Sequence, residues 1–416
     1  MKKLLSVLLT GAMVMGLVAC NKEPAKEGGE AKASAAPAKK EKVSLKVWGS
    51  QDDQEFLKER VEAFKAAHKD QQFDIQLGVV GEPEAQSKYL EDPTAAADVF
   101  AFPNDQLKEL VKAGGLYQVT RPEDVKYIKE ENTGADAFTE DGKLYAFPFA
   151  ADNGYFMYYD SRVFSKDDVK DLDTMLAKAK AAGKKVFMDV SNGWYIASFF
   201  LGNGGKFSID DKGIQKVDFN NANGLAAGEA IKAFTANEAF TTGDDNVLKA
   251  GFTDGTIAAG VSGTWNAADI KGILGDGYAA TKLPEYTAGG KKVQMGSFAG
   301  YKGYGISAHT KSPVEAMDLA RFLTSEESQA KRFAMRGTGP SNKKVAESEP
   351  VKKDIALAAL LEQSKFAVSQ NGVLGTFWTP AEAFGTAMES KDYSKSVQEL
   401  LDAMVEQIQV ADTAKK

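Results

Sequence analysis

The sequence holds one cysteine and two histidines in 416 residues. A disulfide needs two thiols and a thiolate zinc site more than one, so Cys20 alone supplies neither. His68, in Phe64-Lys-Ala-Ala-His68-Lys-Asp, ends a helical pattern, and His309, in Ala308-His-Thr310-Lys-Ser-Pro313, falls in a turn. Both read as surface residues, which leaves a histidine triad or metal site without its parts. Past the first twenty residues there is also no apolar run long enough to cross a bilayer. The formal net charge of -7 argues against a nucleic-acid partner, and small neutral ligands remain open.

Cys20 closes the run Leu17-Val18-Ala19-Cys20 behind a basic start, Lys2 and Lys3, and an apolar stretch from Leu4 to Val18. That layout is a secretion signal, too short for a folded spanning helix. The alternative is an ordinary buried N-terminal helix, but nothing polar alternates within the stretch as an amphipathic helix requires. The run resembles the lipobox of bacterial lipoproteins, in which the cysteine becomes the lipidated first residue. The expectation is a signal peptide over 1–19, a lipidated Cys20 that starts a flexible linker over 20–43, and a protein tethered to the extracellular face of the cell membrane. Asn21 to Lys42 consists almost wholly of Ala, Lys, Glu, Gly, Ser and Pro, too polar to bury a core. Its charges are of mixed sign, which favours a solvated linker over a lipid-gripping patch.

The remainder has the length of about two domains and ample apolar content. Strand patterns alternate with helical ones: Val43 to Trp48, then Gln54 to Ala67 with Phe56, Leu57, Val61 and Phe64 on one face, then Phe73 to Val79. Further strands are predicted at Asp98 to Phe102, Lys143 to Phe147, Phe156 to Tyr159, Lys185 to Val190, Ile257 to Val261 and Gly303 to Ser307. Helices are predicted at Asp105 to Ala113, Leu172 to Ala182, Ala226 to Thr235, Pro313 to Leu323, Ser325 to Ala334 and Ser394 to Val410. This alternation makes an α/β fold. Gly202-Asn-Gly-Gly205 and Gly300-Tyr-Lys-Gly-Tyr-Gly305 lack phosphate-loop and dinucleotide spacing and read as turns. In Asp218 to Gly224, Ala222 occupies a ligand position of a calcium loop and no bidentate glutamate follows, so the run reads as a helix N-cap region. Asp244-Asp245 reads as a solvated helix cap.

The four tryptophans carry the functional signal. Trp48, Trp194, Trp265 and Trp378 each stand where a strand pattern stops or beside Gly, Asn, Thr or Pro. Indole at such places, next to hydroxyl and amide groups, makes the mixed lining of a small-ligand cleft. A sugar ring fits that lining, because its C–H faces lie on aromatic rings while its hydroxyls need polar partners at the rim. Gln51, Asp52, Asp53, Asp105, Asp152, Asn153 and Asn266 are the candidate partners. Asp52 and Asp53 could equally cap the helix that begins near Gln54.

These residues carry a resemblance to ABC-transporter extracellular solute-binding proteins of the carbohydrate group, most similar to maltose and maltodextrin-binding proteins. It rests on Ala97-Asp-Val-Phe-Ala-Phe102, Asp141-Gly-Lys-Leu-Tyr-Ala-Phe-Pro148, Phe252 to Trp265 and Phe377-Trp378. The resemblance implies that Phe102, Trp194 with Tyr195, Trp265 and Trp378 take sugar-stacking places. It implies that Asp152 replaces a hydroxyl-binding glutamate and that Glu84 is a first-lobe carboxylate. Gln106 stands where the family has arginine, and Asp53 where it has lysine, so cations are expected to be missing from the cleft.

The implied architecture is a two-lobed periplasmic-binding-protein-like fold with a hinge and an interlobe cleft. One lobe would comprise 44–150 plus 301–324 and the other 151–300 plus 325–416. Gly300 and Gly303 would either absorb hinge motion or allow close packing. The implied function is capture of malto-oligosaccharides and delivery to the permease subunits of an ABC importer by a monomer without cofactor or catalysis. A secreted glycoside hydrolase, with Asp52, Asp152 and Glu84 as carboxylates, and a surface starch-adhesion protein are the rival classes. Trp265→Ala or Trp378→Ala should each weaken maltotriose binding by roughly 0.5–1.5 kcal/mol per lost stack. Calorimetry checks this, and binding equal to the parent in both variants would mean the cradle is misplaced.

Overall fold

The computed structural model describes residues 42–410. Cys20, the expected signal segment and the linker up to residue 41 lie outside the described residues. Among the described residues no helix is long and apolar enough to cross a membrane.

The first sheet grows from the alternation seen at Val43. Strand Val43–Gly49 buries every second side chain and pairs in parallel with Phe73–Val79 on one edge and Val99–Pro103 on the other. The intervening helix Gln54–Ala67 lays Phe56, Leu57, Val61 and Phe64 into the core, a strand-helix-strand crossover. Across the sheet the order is Ala367–Ser369, Ser297–Ile306, Val99–Pro103, Val43–Gly49, Phe73–Val79, with Ala146–Gly154 also paired to Ser297–Ile306. Val47, Phe100, Phe102, Phe147 and Ile306 belong to one apolar core.

A second, five-stranded sheet runs Phe240–Thr241, Lys185–Phe187, Ile257–Ser262, Phe156–Asp160, Tyr278–Thr281. Its strand Phe156–Asp160 alternates between two apolar clusters: Met157 and Tyr159 join Phe199, Val261 and Leu401, while Phe156 and Tyr158 join Phe252 and Ile270. Helix Gly193–Gly202 lies within the larger cluster. The pattern reading assigns no helix there, because Gly-Trp-Tyr-Ile-Ala-Ser-Phe-Phe-Leu-Gly is apolar all round and has no polar face to set a period.

The two cores share one ribbon. Strands Ala146–Gly154 and Ser297–Ile306 run antiparallel from the pairing Gly305 with Ala146 to the pairing Ala299 with Gly154, with register shifts on either side of Lys302. Such shifts bend a strand locally. The stretch Gly300 to Gly305, read from sequence as a turn, is therefore strand, because its glycines pair rather than reverse the chain. Both glycines serve close packing. A Cβ on Gly300 would lie 2.4 Å from Asn104 Oδ1 and 2.7 Å from Gln370 Cδ, and one on Gly303 would lie 2.8 Å from Phe138 Cζ.

The segment that follows Thr324 is hydrogen-bonded to Asn132, Thr133 and Asp53, within the residues assigned from sequence to the first lobe, although the sequence boundary assigns the segment itself to the second. Gln329 Nε2 donates to Asn132 Oδ1 at 2.9 Å and Thr133 N to Ser341 O at 2.8 Å. Helix Glu326–Arg336 also presents Arg332 to Asp53, with Nε at 3.0 Å and Nη2 at 2.7 Å from Oδ2. Both partners are buried. Asp53→Ala should cost about 3–5 kcal/mol in urea unfolding, because it leaves the Arg332 guanidinium buried without its carboxylate. A loss below about 1 kcal/mol would show that Arg332 is not held by this pair.

Candidate functional site

A cleft of about 730 Å³ opens between the two cores, within the size range of small-molecule sites. The second core supplies its aromatic wall. Trp194 stands in the first turn of helix Gly193–Gly202, whose cap Asn192 accepts from the Trp194 N–H. Trp265 lies in the short turn Thr264–Asn266 after strand Ile257–Ser262, and Trp378 opens helix Trp378–Glu389. All three are half-buried and line the cleft. The Trp194 and Trp265 rings are 5.9 Å apart between centroids. Tyr155 meets Trp194 edge-on at 4.5 Å, and Trp378 packs edge-on against Phe377 at 5.1 Å. Each indole is thus backed by the core on one side.

Of the other sequence candidates, Asp52, Asp53, Glu84, Asp105, Asn153 and Tyr195 also line the cleft. Five stand elsewhere. Trp48 packs over Gly78, its register partner in the neighbouring strand, and edge-on to Phe100, so the indole is spent on the first core. Phe102 is fully buried against Phe138, because strand Val99–Pro103 is covered on both faces. Asp152 is buried at the ribbon, where it accepts from the Thr264 hydroxyl and the Gly339 N–H and so ties the ribbon to two other segments. Asn266 is buried and donates to Ser262 Oγ at 2.9 Å. Gln51 is exposed in the turn Gln51–Asp53, away from the cleft lining.

Pattern reasoning missed several lining groups. Glu82 is 6% exposed and faces the cleft, whereas Glu84 beside it is exposed. Gln106, in the arginine's place, is used up within its own lobe: Nε2 donates to Glu82 O at 3.1 Å and Pro83 O at 2.7 Å, and Oε1 accepts from Gln86 N. Cations are present after all, which corrects the expectation of a cleft without them. Lys302 comes from the ribbon and sits 5.2 Å from the Trp265 ring centroid, and Arg332 and Arg336 come from one face of a helix. Arg336 pairs with Asp52 at 2.9 Å and donates to Trp265 O at 2.9 Å. Their i, i+4 spacing was the available signal. Asp244 caps helix Asp245–Asp254, but Asp245, read as solvated, accepts from Trp265 Nε1 at 2.8 Å and Ser262 Oγ at 3.0 Å. Gln370 and Glu382 had no sequence signal. Among the described residues no group of three or more His, Cys, Asp or Glu is arranged to hold a metal ion.

The cleft carboxylates outnumber these cations, and two of them are held far from their ordinary acidity. Burial pushes Asp105 up from 3.8 to about 7, against the opposing hydrogen bond from Gln370 Nε2 at 2.6 Å. Burial likewise raises Asp189 to about 6, with the Ser191 hydroxyl opposing and the Glu389 charge adding to the shift. The chemistry on offer is hydrogen-bond acceptance around half-buried indole faces.

The matching protein family is the bacterial extracellular solute-binding proteins, whose pattern covers residues 59–359. The chain belongs to that family, and the two-lobed α/β fold is the one its sequence resembles. A galactooligosaccharide-binding protein of Bacillus subtilis (strain 168) is 29% identical over 403 residues, covering 92% of this chain and 91% of that protein. A solved structure described as "with acarbose" is 32% identical, with a TM-score of 0.81 over 89% of this chain and 99% of that one. The maltodextrin-binding protein MalE1 from L. casei BL23 without ligand is 27% identical, with a TM-score of 0.73 over 89% and 100%.

The raised pKa of Asp105 makes stability depend on pH. With a folded value near 7 and an ordinary value of 3.8, the folded state holds the extra proton between those limits, so stability is lost as pH rises through that window. Asp105→Asn should therefore gain on the parent by on the order of 1–2 kcal/mol at pH 8 and by almost nothing at pH 4. Thermal unfolding at both pH values checks this, and an equal offset at the two would exclude the carboxyl as the cause.

Proposed function

We propose that this protein is a lipid-anchored receptor, held at the extracellular face by Cys20, that captures malto-oligosaccharides between its lobes and delivers them unchanged to an ABC importer. The observation that carries this reading is the shared opening of Trp194, Trp265 and Trp378 opposite first-lobe carboxylates. Flat indole faces suit the C–H faces of glucose units, and acceptors such as Asp52, Glu82 and Asp105 suit hydroxyls. The likeness to MalE1 and to a structure described with acarbose supports an α-glucan over other sugars. The lipobox-like run Leu17 to Cys20 supports the anchor.

Hydrolysis would need a proton-donating acid and a second carboxylate facing one bond. Burial raises the pKa of Asp105 and Asp189, but Asp105 accepts from Gln370 and Asp189 from Ser191, which favours a binding role. A second reading, capture of galacto-oligosaccharides, is favoured by the Bacillus subtilis relative. The two ligand classes differ in the orientation of one ring hydroxyl and in linkage, so acceptor positions and cleft shape discriminate them.

Calorimetry with maltotriose, maltotetraose and a galactotriose should give binding of the malto series, changing little between about 50 and 200 mM salt because a neutral ligand releases no counterions. Binding of the galactose series alone would replace the substrate and keep the receptor. Binding of neither, or release of reducing ends from starch oligosaccharides, would overturn the reading.

A further inference from the structure

Gln370 opens the turn Gln370–Gly372 after strand Ala367–Ser369, just before Val373 enters the second core. Its side chain is 2% exposed and both ends of the amide are engaged. Nε2 donates to Asp105 Oδ1 of the first lobe at 2.6 Å, and Oε1 accepts from Trp194 Nε1 of the second at 3.3 Å. We propose that Gln370 is a positioning residue, fixing the Trp194 indole and the spacing of the two cleft walls through one side-chain amide. The proposal rests on the reading of the cleft as a carbohydrate site.

The polarity of this relay is determined by chemistry. An indole N–H can only donate, so it orients the amide oxygen toward Trp194 and leaves the amide nitrogen for Asp105, which must accept. The amide cannot swing away on the ribbon side, because Gly300 packs so closely that a Cβ there would stand 2.7 Å from Gln370 Cδ. The same turn is held a second time across the lobes: Asn104 Nδ2 donates to Asn371 Oδ1, while Asn104 Oδ1 accepts from Tyr301 N at 2.7 Å. Further along, Glu109 Oε1 accepts from Gly375 N at 3.3 Å. Gln370 is the member of this set that reaches a cleft aromatic, so a change there alters the ring as well as the lobe contact.

The test uses the folded protein with maltotriose, and in parallel the indole N–H resonances of the sugar-free protein, assigned with Trp194→Phe. Gln370→Leu keeps the approximate volume and removes both hydrogen bonds. It should weaken maltotriose binding about tenfold and shift the Trp194 resonance. Gln370→Glu keeps an acceptor for the indole but sets a carboxylate against Asp105, and should weaken binding at least as much. Gln370→Glu combined with Asp105→Asn exchanges amide and carboxylate, restores both hydrogen bonds, and should bind maltotriose at least about threefold more tightly than the summed losses of the two single variants predict. This exchange keeps the test decisive if Gln370→Leu does not fold. Parent-like binding by Gln370→Leu, or additive losses in the exchange variant, overturns the proposal. If the parent binds no maltotriose, the carbohydrate reading fails separately. The resonance then decides alone: a shifted Trp194 signal in Gln370→Leu upholds the positioning role and an unmoved one overturns it.

Discussion

The cleft depends on one antiparallel ribbon, Ala146–Gly154 with Ser297–Ile306, that belongs to both cores at once. Backbone hydrogen bonds along it fix how the sheets approach, and everything in the cleft is placed relative to it. Its glycines are required by proximity. Gly300 leaves room for Asn104 and Gln370, and Gly303 for the Phe138 ring, so side chains from one lobe lie flat against strand that also serves the other. Asp152, near the end of strand Ala146–Gly154, binds Thr264 and Gly339 and so joins the ribbon to the second lobe and to the segment after helix Glu326–Arg336.

Around this ribbon the aromatic faces come from one wall and the acceptors from both. The second lobe gives indole faces backed by a dense aromatic core together with Asp189, Asp245 and Glu382, and the first gives acceptors on turns at the ends of parallel strands. Acidic groups so concentrated carry a cost in desolvation and repulsion, offset in different ways. Asp53 and Asp52 are paired with Arg332 and Arg336, whereas Asp105 and Asp189 hold their protons to higher pH. Paired with arginine or held at a raised pKa, these four carboxyls carry less free charge than bare carboxylates, whose hydration any neutral polyol would have to displace.

Much of the fold was legible from local pattern. Strands at Val43, Phe73 and Phe156, and the amphipathic helix Gln54–Ala67, follow from periods of two and 3.6 that burial imposes on any such element. Helix Gly193–Gly202 was not legible, since full burial erases the period, and the glycine-rich strand near Lys302 resembled a turn because glycine has no side chain to show alternation. In the cleft, Trp194, Trp265 and Trp378 were legible as indoles at element ends. Trp48 and Phe102 share that local context and yet are core, since a covered strand face and an open one read the same in sequence. Glu84 and Glu82 differ by two residues, and only the turn at Pro83 decides which is buried at the cleft.

By itself, the sequence determined the α/β alternation, the scarcity of cysteine and histidine and the standing of the tryptophans at element ends, because each is a property of composition or of neighbours a few residues apart. Tertiary structure alone decided which polar groups meet them. Asp105 finds Gln370 265 residues away and Asp53 finds Arg332 279 residues away, pairings that carry no local period and exist only because the chain crosses between two cores on shared strands.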